Sequence, residues 1–172
     1  MNKNILKKCQ KIKILLTDVD GVLTDGGMYY TKDGDVMKKF YVGDGMGINL
    51  LLKKNIQTII ITKEKNQIIR TWANKMNVKK IYDGVKQKEA ILEKILVNFK
   101  VKIFEVCYIG DDVNDVELMK KVGLSACPKN ANKLAINTAD YICKADGGKG
   151  ALREIADMIL YAKYPNKKNF YD

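Results

Sequence analysis

The chain has 172 residues, of which 47% are hydrophobic and 30% are charged, and its formal net charge is +11. It contains no histidine, which excludes Ser-His-Asp triads, Cys-His pairs, H-E-x-x-H zinc sites and histidine phosphotransfer. Acid/base chemistry must therefore come from carboxylates, lysines or tyrosines. Lysines are spread through almost every segment without an Arg-rich run, so no nucleic acid partner is predicted.

The length predicts one domain spanning residues 1–172. No apolar run is long enough to cross a membrane, and residues 1–11 lack the apolar core of a signal peptide, so a cytoplasmic protein without a membrane partner is expected. The four cysteines form no C-x-x-C pair, which argues against a zinc ribbon or a disulfide framework. Cys107 and Cys127 lie in apolar runs and are predicted to be core thiols.

Two carboxylates follow the first predicted strand, Ile12–Thr17. Asp18 and Asp20 then lie at the carboxyl end of a buried strand, where open α/β sheets bind ligands. Carboxylates crowded there repel one another unless a cation lies between them, and the expected cation is Mg²⁺. A lone Asp-x-Asp-Gly would more often be only a turn, so the motif needs support from the rest of the chain.

A β-hairpin is predicted over residues 26–41, with its turn at Lys32-Asp33-Gly34. An isolated two-stranded hairpin is only marginally stable, so this one should pack against something else. In a chain of this length a neighbouring subunit is a good candidate.

Strands and helices alternate through the remainder of the chain, which predicts a parallel sheet with helices on both faces. The predicted strands are 57–62, 80–82, 103–109, 124–128 and 141–143, and the predicted helices are 48–55, 66–76, 86–99, 116–122, 132–137 and 151–162.

Reactive groups recur where these elements begin or end. Thr62 ends the second strand of the alternating pattern, Lys88 starts the long helix, and Asp111, Asp112 and Asp115 follow the strand that ends at Ile109. The topology of such a sheet brings these groups together with Asp18 and Asp20 at one edge.

This order of motifs, beginning with Asp-x-Asp-Gly-Val-Leu-Thr-Asp, resembles the haloacid dehalogenase superfamily of phosphohydrolases. The resemblance covers nearly the whole chain and implies a Rossmann-like α/β fold and a Mg²⁺ cofactor. It implies that Asp18 is the nucleophile and Asp20 the general acid/base. It also implies that Thr62 and Lys88 bind the phosphoryl group, and that Asp18, Asp111 and the carbonyl of Asp20 bind the metal. Asp112 and Asp115 would orient Lys88 or water.

A narrower resemblance is to the capless branch of this superfamily, which acts on phosphorylated 2-keto-3-deoxy sugar acids. It rests on the first motif together with Lys38-Lys39-Phe40, the segment 44–48 and the glycine-rich segment 147–154. The resemblance implies a fold with an inserted hairpin and no cap domain. It also implies a homotetramer in which hairpins form a central barrel and a neighbouring subunit closes each site. The glycine-rich segment would be a mobile C-terminal element, or else simply the entrance to a helix.

The residues after Thr62 bear on the substrate. Branch members that act on 3-deoxy-manno-octulosonate 8-phosphate typically carry Gly-Arg there, whereas this chain has Lys63-Glu64-Lys65. That segment is closer to the Thr-Gly-Glu-Lys of relatives acting on nine-carbon acids such as 2-keto-3-deoxynononate 9-phosphate. Glu64 and Lys75 are therefore predicted to bind substrate, with nine-carbon esters favoured over the eight-carbon ester.

Two other functions are compatible with part of this pattern. A phosphoacceptor signalling domain also has acidic strand ends on a parallel sheet, but it takes phosphate on an Asp at a later strand. A catalytically silent oligomerisation domain is the other alternative, and the presence of all the reactive residues argues against it.

Overall fold

The computed structural model describes residues 2–166 and 169–170. Its centre is a six-stranded parallel sheet in the order β5-β4-β1-β6-β7-β8. The strands are β1 (Ile14–Thr17), β4 (Gln57–Ile61), β5 (Lys80–Tyr82), β6 (Val106–Ile109), β7 (Leu124–Cys127) and β8 (Tyr141–Ile142). The predicted Rossmann-like parallel sheet is confirmed, with β1 in its middle.

Helices cover both faces of the sheet because successive residues of each strand point to opposite sides. In β1, Leu15 packs toward one face, while Ile14 and Leu16 pack toward the other. The first face carries α1 (Lys3–Lys11), α2 (Val42–Lys53), α3 (Gln67–Lys75) and α7 (Ala151–Lys163), and the second carries α4 (Leu92–Phe99), α5 (Val116–Lys121) and α6 (Lys133–Thr138).

The N-terminal helix α1 was not predicted from the sequence. Its lysines hide the pattern, but Ile5 and Cys9 are four residues apart and are both buried on one side of the helix. The side chain of Asn2 caps the helix by accepting a hydrogen bond from Asn4 N at 2.9 Å. Helix α1 therefore packs on the core through this side.

Three predicted elements differ from the structure by more than a shift of one or two residues at an end. The helix predicted at 48–55 begins earlier, at Val42, because its glycines do not interrupt it. The helix predicted at 86–99 is a 3₁₀ helix, Lys88–Ile91, followed by α4. The strand predicted at 103–109 starts only at Val106, since Ile103–Glu105 form another 3₁₀ turn. Short 3₁₀ pieces are common at such junctions.

The predicted hairpin is present outside the main sheet. Its strands β2 (Tyr29–Thr31) and β3 (Gly34–Met37) are antiparallel. A bridge between Thr24 and Phe40 closes its base next to the first motif. The hairpin exposes large apolar side chains, namely Met28, Tyr29, Tyr30, Val36 and Met37.

The glycine-rich segment lies at the entrance to α7, where Gly150 is the N-cap with φ +103°. Gly148 N donates to Val22 O at 2.9 Å, and a Cβ on Gly147 would lie 1.8 Å from Gly21 O. Only glycine permits this backbone approach, so the segment supports the loop that carries Asp18 and Asp20.

The helices formed by residues 2–166 and 169–170 are all too short or too polar to span a bilayer.

Candidate active site

A cleft of about 180 Å³ opens at the carboxyl ends of β1, β4 and β6. Strand order places these three strands side by side, so the residues that follow them meet. The cleft is lined by Asp18, Asp20, Thr62, Lys63, Glu64, Asp111, Asp112 and Asn114.

Lys88 contacts the cleft residue Asp18 from the protein interior, and its side chain is completely buried. Its Nζ lies 2.8 Å from Asp18 Oδ1 and 2.6 Å from Asp115 Oδ1. Burial acts to lower the pKa of Lys88, but the two carboxylates outweigh that effect and raise the pKa above its ordinary value. The ammonium is therefore charged and holds Asp18 in place.

Asp115 is a fully satisfied anchor. Its Oδ1 accepts hydrogen bonds from Lys88 Nζ and from the hydroxyl of Tyr108, a buried residue of β6. Its Oδ2 accepts from the backbone amides of Asp111 at 2.9 Å and Asp112 at 3.1 Å. Asp115 thus fixes the loop after β6 and orients Lys88, and its four contacts leave little capacity for a metal.

Asp18 and Asp111 form an unbalanced acidic pair. Burial raises the pKa of Asp18 to about 7, against the lowering effect of Lys88 and with a further rise from Asp115. Burial also raises the pKa of Asp111 to about 8, and the neighbouring carboxylates of Asp18, Asp115 and Asp112 add to that rise. Within residues 2–166 and 169–170, Asp111 Oδ1 is buried without a hydrogen-bond partner. The single ammonium of Lys88 therefore does not compensate the negative charge of both carboxylates.

Thr62 and Asp20 complete the cleft. Thr62 Oγ1 accepts a hydrogen bond from Glu64 N at 3.3 Å, and Thr62 lines the cleft, where its hydroxyl can donate a hydrogen bond to a ligand. Asp20 Oδ1 accepts hydrogen bonds from Thr24 Oγ1 at 3.3 Å and from Lys38 Nζ at 2.7 Å.

Comparisons with known proteins agree with this geometry. A family model described as haloacid dehalogenase-like hydrolase matches residues 48–155. The chain is 36% identical over 163 residues to the 3-deoxy-D-manno-octulosonate 8-phosphate phosphatase of Salmonella typhi. The alignment covers 95% of this chain and 87% of the relative.

The chain belongs to the haloacid dehalogenase-like hydrolases.

Solved structures of this family have the same fold. The crystal structure of the 3-deoxy-D-manno-octulosonate 8-phosphate phosphatase from Yersinia pestis matches with a TM-score of 0.92 at 34% identity, covering 95% of this chain and 88% of that one. The corresponding phosphatase from Moraxella catarrhalis, in complex with magnesium ion, phosphate ion and KDO, matches with a TM-score of 0.91 at 31% identity, covering 95% and 94%. The predicted superfamily and the prediction of a phosphatase are confirmed.

Magnesium is the cofactor of this hydrolase family, as the sequence predicted, and the residues of the cleft fit it. One carboxylate oxygen from each of Asp18, Asp111 and Asp115 lies within 4.8 Å of the others. Because Asp115 is already satisfied, Asp18 and the unpartnered Asp111 are the side chains suited to a divalent cation. Gly21 permits Asp111 to approach the first motif, since a Cβ on Gly21 would lie 2.0 Å from Asp111 Oδ2.

The two predicted substrate-binding residues lie in different places. Glu64 lines the cleft. Lys75, at the end of α3, lies instead in an apolar groove with Phe40, Ile68 and Trp72. Lys75 is therefore not among the described residues that line the cleft.

Sequence reasoning missed two residues of this hydrolase site. Tyr108 reads as an ordinary strand residue, and only the position of β6 shows that its hydroxyl reaches Asp115. Lys38 lies after β3, yet its ammonium contacts Asp20. The Lys-Lys-Phe run that formed part of the resemblance was the one available signal.

Replacing Asp115 with alanine should destabilise the protein by about 3–5 kcal/mol, because it removes one of the two carboxylates that compensate the buried ammonium of Lys88 and leaves the Tyr108 hydroxyl without this acceptor. Asp112→Ala is the matched control. Asp112 is exposed and its side chain lacks the buried contacts of Asp115, so its loss should cost no more than about 1 kcal/mol. Urea denaturation of both variants measures the difference, and equal losses would contradict the anchoring role of Asp115.

Proposed function

We propose that this hydrolase is a Mg²⁺-dependent phosphatase that cleaves the phosphate monoester of a 2-keto-3-deoxy sugar acid through an aspartyl-phosphate on Asp18. The observation that carries the proposal is the contact of 2.8 Å between Asp18 and the buried ammonium of Lys88, at the end of the central strand. A carboxylate held this way can attack a phosphoryl group without swinging away from it.

The first step transfers the phosphoryl group to the enzyme. An oxygen of Asp18 forms a bond to phosphorus while the bond between phosphorus and the ester oxygen breaks. Asp20 gives its proton to the departing alkoxide, which leaves as the alcohol of the sugar acid. The hydroxyl of Thr62 donates a hydrogen bond to a phosphoryl oxygen, and the ammonium of Lys88 offsets the charge of the phosphoryl group.

The second step restores the enzyme. Asp20, now a carboxylate, takes a proton from water as the water oxygen attacks phosphorus. The bond between phosphorus and Asp18 breaks, and inorganic phosphate leaves. When bound by Asp18, Asp111 and the carbonyl of Asp20, the cation supplies further positive charge against the anionic phosphoryl group.

Asp18→Asn should abolish turnover of p-nitrophenyl phosphate, because an amide oxygen is a poor nucleophile, and EDTA should abolish it in the unmodified enzyme. Asp20→Asn should slow turnover by about 10²-fold or more while metal binding, measured by calorimetry, persists. Full activity in EDTA or in Asp18→Asn would exclude the mechanism, and loss of metal binding in Asp20→Asn would exclude the role given to its carbonyl.

The eight-carbon ester, 3-deoxy-manno-octulosonate 8-phosphate, is the first substrate to test, because the relatives with 31–36% identity carry its name. One observation favours nine-carbon esters instead. Glu64 lines the cleft where the octulosonate phosphatases typically place an arginine, and a carboxylate can accept hydrogen bonds from a longer polyol or an amine.

The ratio of kcat/KM values for the eight-carbon and nine-carbon esters decides between them. If Glu64 reads the distal chain, Glu64→Ala should move this ratio by about tenfold or more and leave turnover of p-nitrophenyl phosphate within a few fold. If kcat/KM is about tenfold higher for the eight-carbon ester and Glu64→Ala does not change this ratio, the nine-carbon assignment is wrong. The assignment as a phosphatase would still stand.

We also propose that the protein is a homotetramer, which remains a prediction like its cytoplasmic location. Met28, Tyr30 and Val36 expose more than half of their surface on the hairpin, and a neighbouring subunit would bury them. The same subunit would close the cleft, which no cap domain formed by residues 2–166 and 169–170 covers, and exclude water from it. It could also bring Lys75 to the site.

Light scattering should give four times the chain mass of 19.5 kDa. Val36→Asp should dissociate the assembly and lower activity, because it places a charge on the hairpin surface. Leu134→Asp is the control, since Leu134 is exposed to a similar degree on α6, away from the hairpin. An active monomer at micromolar concentration would contradict the proposed assembly.

The alternative functions have less support. Membership of the hydrolase family and the intact set of reactive residues favour an enzyme over a silent oligomerisation domain. A signalling domain is disfavoured because the lysine-bound carboxylate lies after β1, the first strand of the sheet along the chain.

A further inference from the structure

Lys38 places a second buried ammonium beside the cleft. Its side chain is fully buried, and its Nζ lies 2.7 Å from Asp20 Oδ1, 3.2 Å from Asp35 Oδ2 and 3.2 Å from Glu64 Oε2. These three carboxylates come from the first motif, the hairpin and the loop after β4. The pKa of Lys38 is raised, since hydrogen bonds to the carboxylates outweigh the lowering effect of burial.

The hairpin holds Lys38 in position from two sides. Lys38 directly follows β3, and the bridge between Thr24 and Phe40 fixes the backbone two residues further on. Asn66 Nδ2 donates to Asp35 Oδ2 at 3.1 Å, so the carboxylate on the far side of the ammonium is itself tethered to the start of α3. The ammonium is thus fixed by structure outside the cleft.

This arrangement orients Asp20. Within residues 2–166 and 169–170, Lys38 Nζ and Thr24 Oγ1 both contact Oδ1 of Asp20. Oδ2 is then the oxygen left for exchanging a proton with the ester oxygen or with water. Asp20 lies at the cleft with about a third of its side chain exposed, so without such contacts it would be free to change rotamer.

We propose that Lys38 is a positioning residue for Asp20, which couples the hairpin to the proton-transfer step. This inference rests on the proposed function and assigns a role to a residue other than those to which the superfamily resemblance gives one, namely Asp18, Asp20, Thr62, Lys88, Asp111, Asp112 and Asp115. Lys38 contacts Asp20 rather than the phosphoryl group, so its removal should impair protonation of the leaving group more than attack by Asp18. A purely structural lysine would slow every ester equally.

Phenyl phosphate and p-nitrophenyl phosphate separate these effects. Both are small aryl esters without the sugar chain that Glu64 would contact. Phenolate is a poor leaving group that needs a proton, whereas p-nitrophenolate leaves readily without one. Because kcat/KM covers the steps up to the first irreversible one, it reports formation of the aspartyl-phosphate and not its hydrolysis.

In Lys38→Met, kcat/KM for phenyl phosphate should fall at least about tenfold more than kcat/KM for p-nitrophenyl phosphate, within the usual range of general acid catalysis. Lys39→Met is the matched control. Lys39 is mostly exposed and contacts Asp25 at 3.4 Å, so its loss should change neither value by more than about twofold. Should Lys38→Met fail to fold, Lys38→Gln removes the ammonium and keeps a polar side chain at this position, and it should show a selective loss in the same direction.

Parallel losses for both esters in the folded Lys38 variant would overturn the proposal, as would an equal selective loss in Lys39→Met. If the unmodified enzyme hydrolyses neither ester in Mg²⁺, the proposed function itself fails and this inference fails with it. Turnover of both esters by the unmodified enzyme with parallel losses in the variant refutes only the role of Lys38.

Discussion

The buried ammonium of Lys88 is the constraint on which the rest of the site depends. Removing a charge from water costs several kcal/mol unless nearby groups compensate it. Here Asp18 and Asp115 do so at 2.8 and 2.6 Å. Asp115 is in turn held by Tyr108 and by two backbone amides, so the loop after β6 and the end of β1 cannot move independently.

Excess negative charge at one edge of the sheet is the other physical feature of the site. Asp18, Asp20, Asp111 and Asp112 line a single small cleft. Two buried lysines offset part of this charge, with Lys88 on Asp18 and Lys38 on Asp20. The unpartnered Asp111 oxygen remains, and the divalent cation of the family fits there. The proposed nucleophile and the proposed general acid/base are thus each held by a lysine from another part of the chain.

Much of the fold could be predicted because local patterns determine it. Alternating apolar runs and amphipathic segments gave the parallel sheet and its helices, and the Asp-Gly turn gave the hairpin. Sheet topology then brought Asp18, Thr62, Lys88 and Asp111 to one edge. Helix α1 escaped prediction because its lysines mask the two buried residues, Ile5 and Cys9. Lys38 and Tyr108 were missed because their importance arises from tertiary contacts that no local pattern records.

The same limit applies to the substrate. Glu64 lies in the cleft, but its carboxylate is already 3.2 Å from Lys38, so its charge is partly compensated before any ligand binds. The contrast between Glu64 and the arginine expected in octulosonate phosphatases does not take this ion pair into account. Lys75 likewise has a position in the chain that suggests a role, while the fold places it in a separate groove. The contacts of both side chains are visible only in the folded structure.

The central claim is that Asp18, held by Lys88, becomes phosphorylated during turnover. Rapid quenching of the Mg²⁺-loaded enzyme during hydrolysis of p-nitrophenyl phosphate, followed by borohydride reduction and peptide mass spectrometry, tests this directly, because borohydride converts an acyl phosphate of aspartate into homoserine. We expect homoserine at position 18, dependent on substrate. Homoserine at another aspartate, or its absence at position 18 under conditions that trap a known aspartyl-phosphate enzyme, would contradict it.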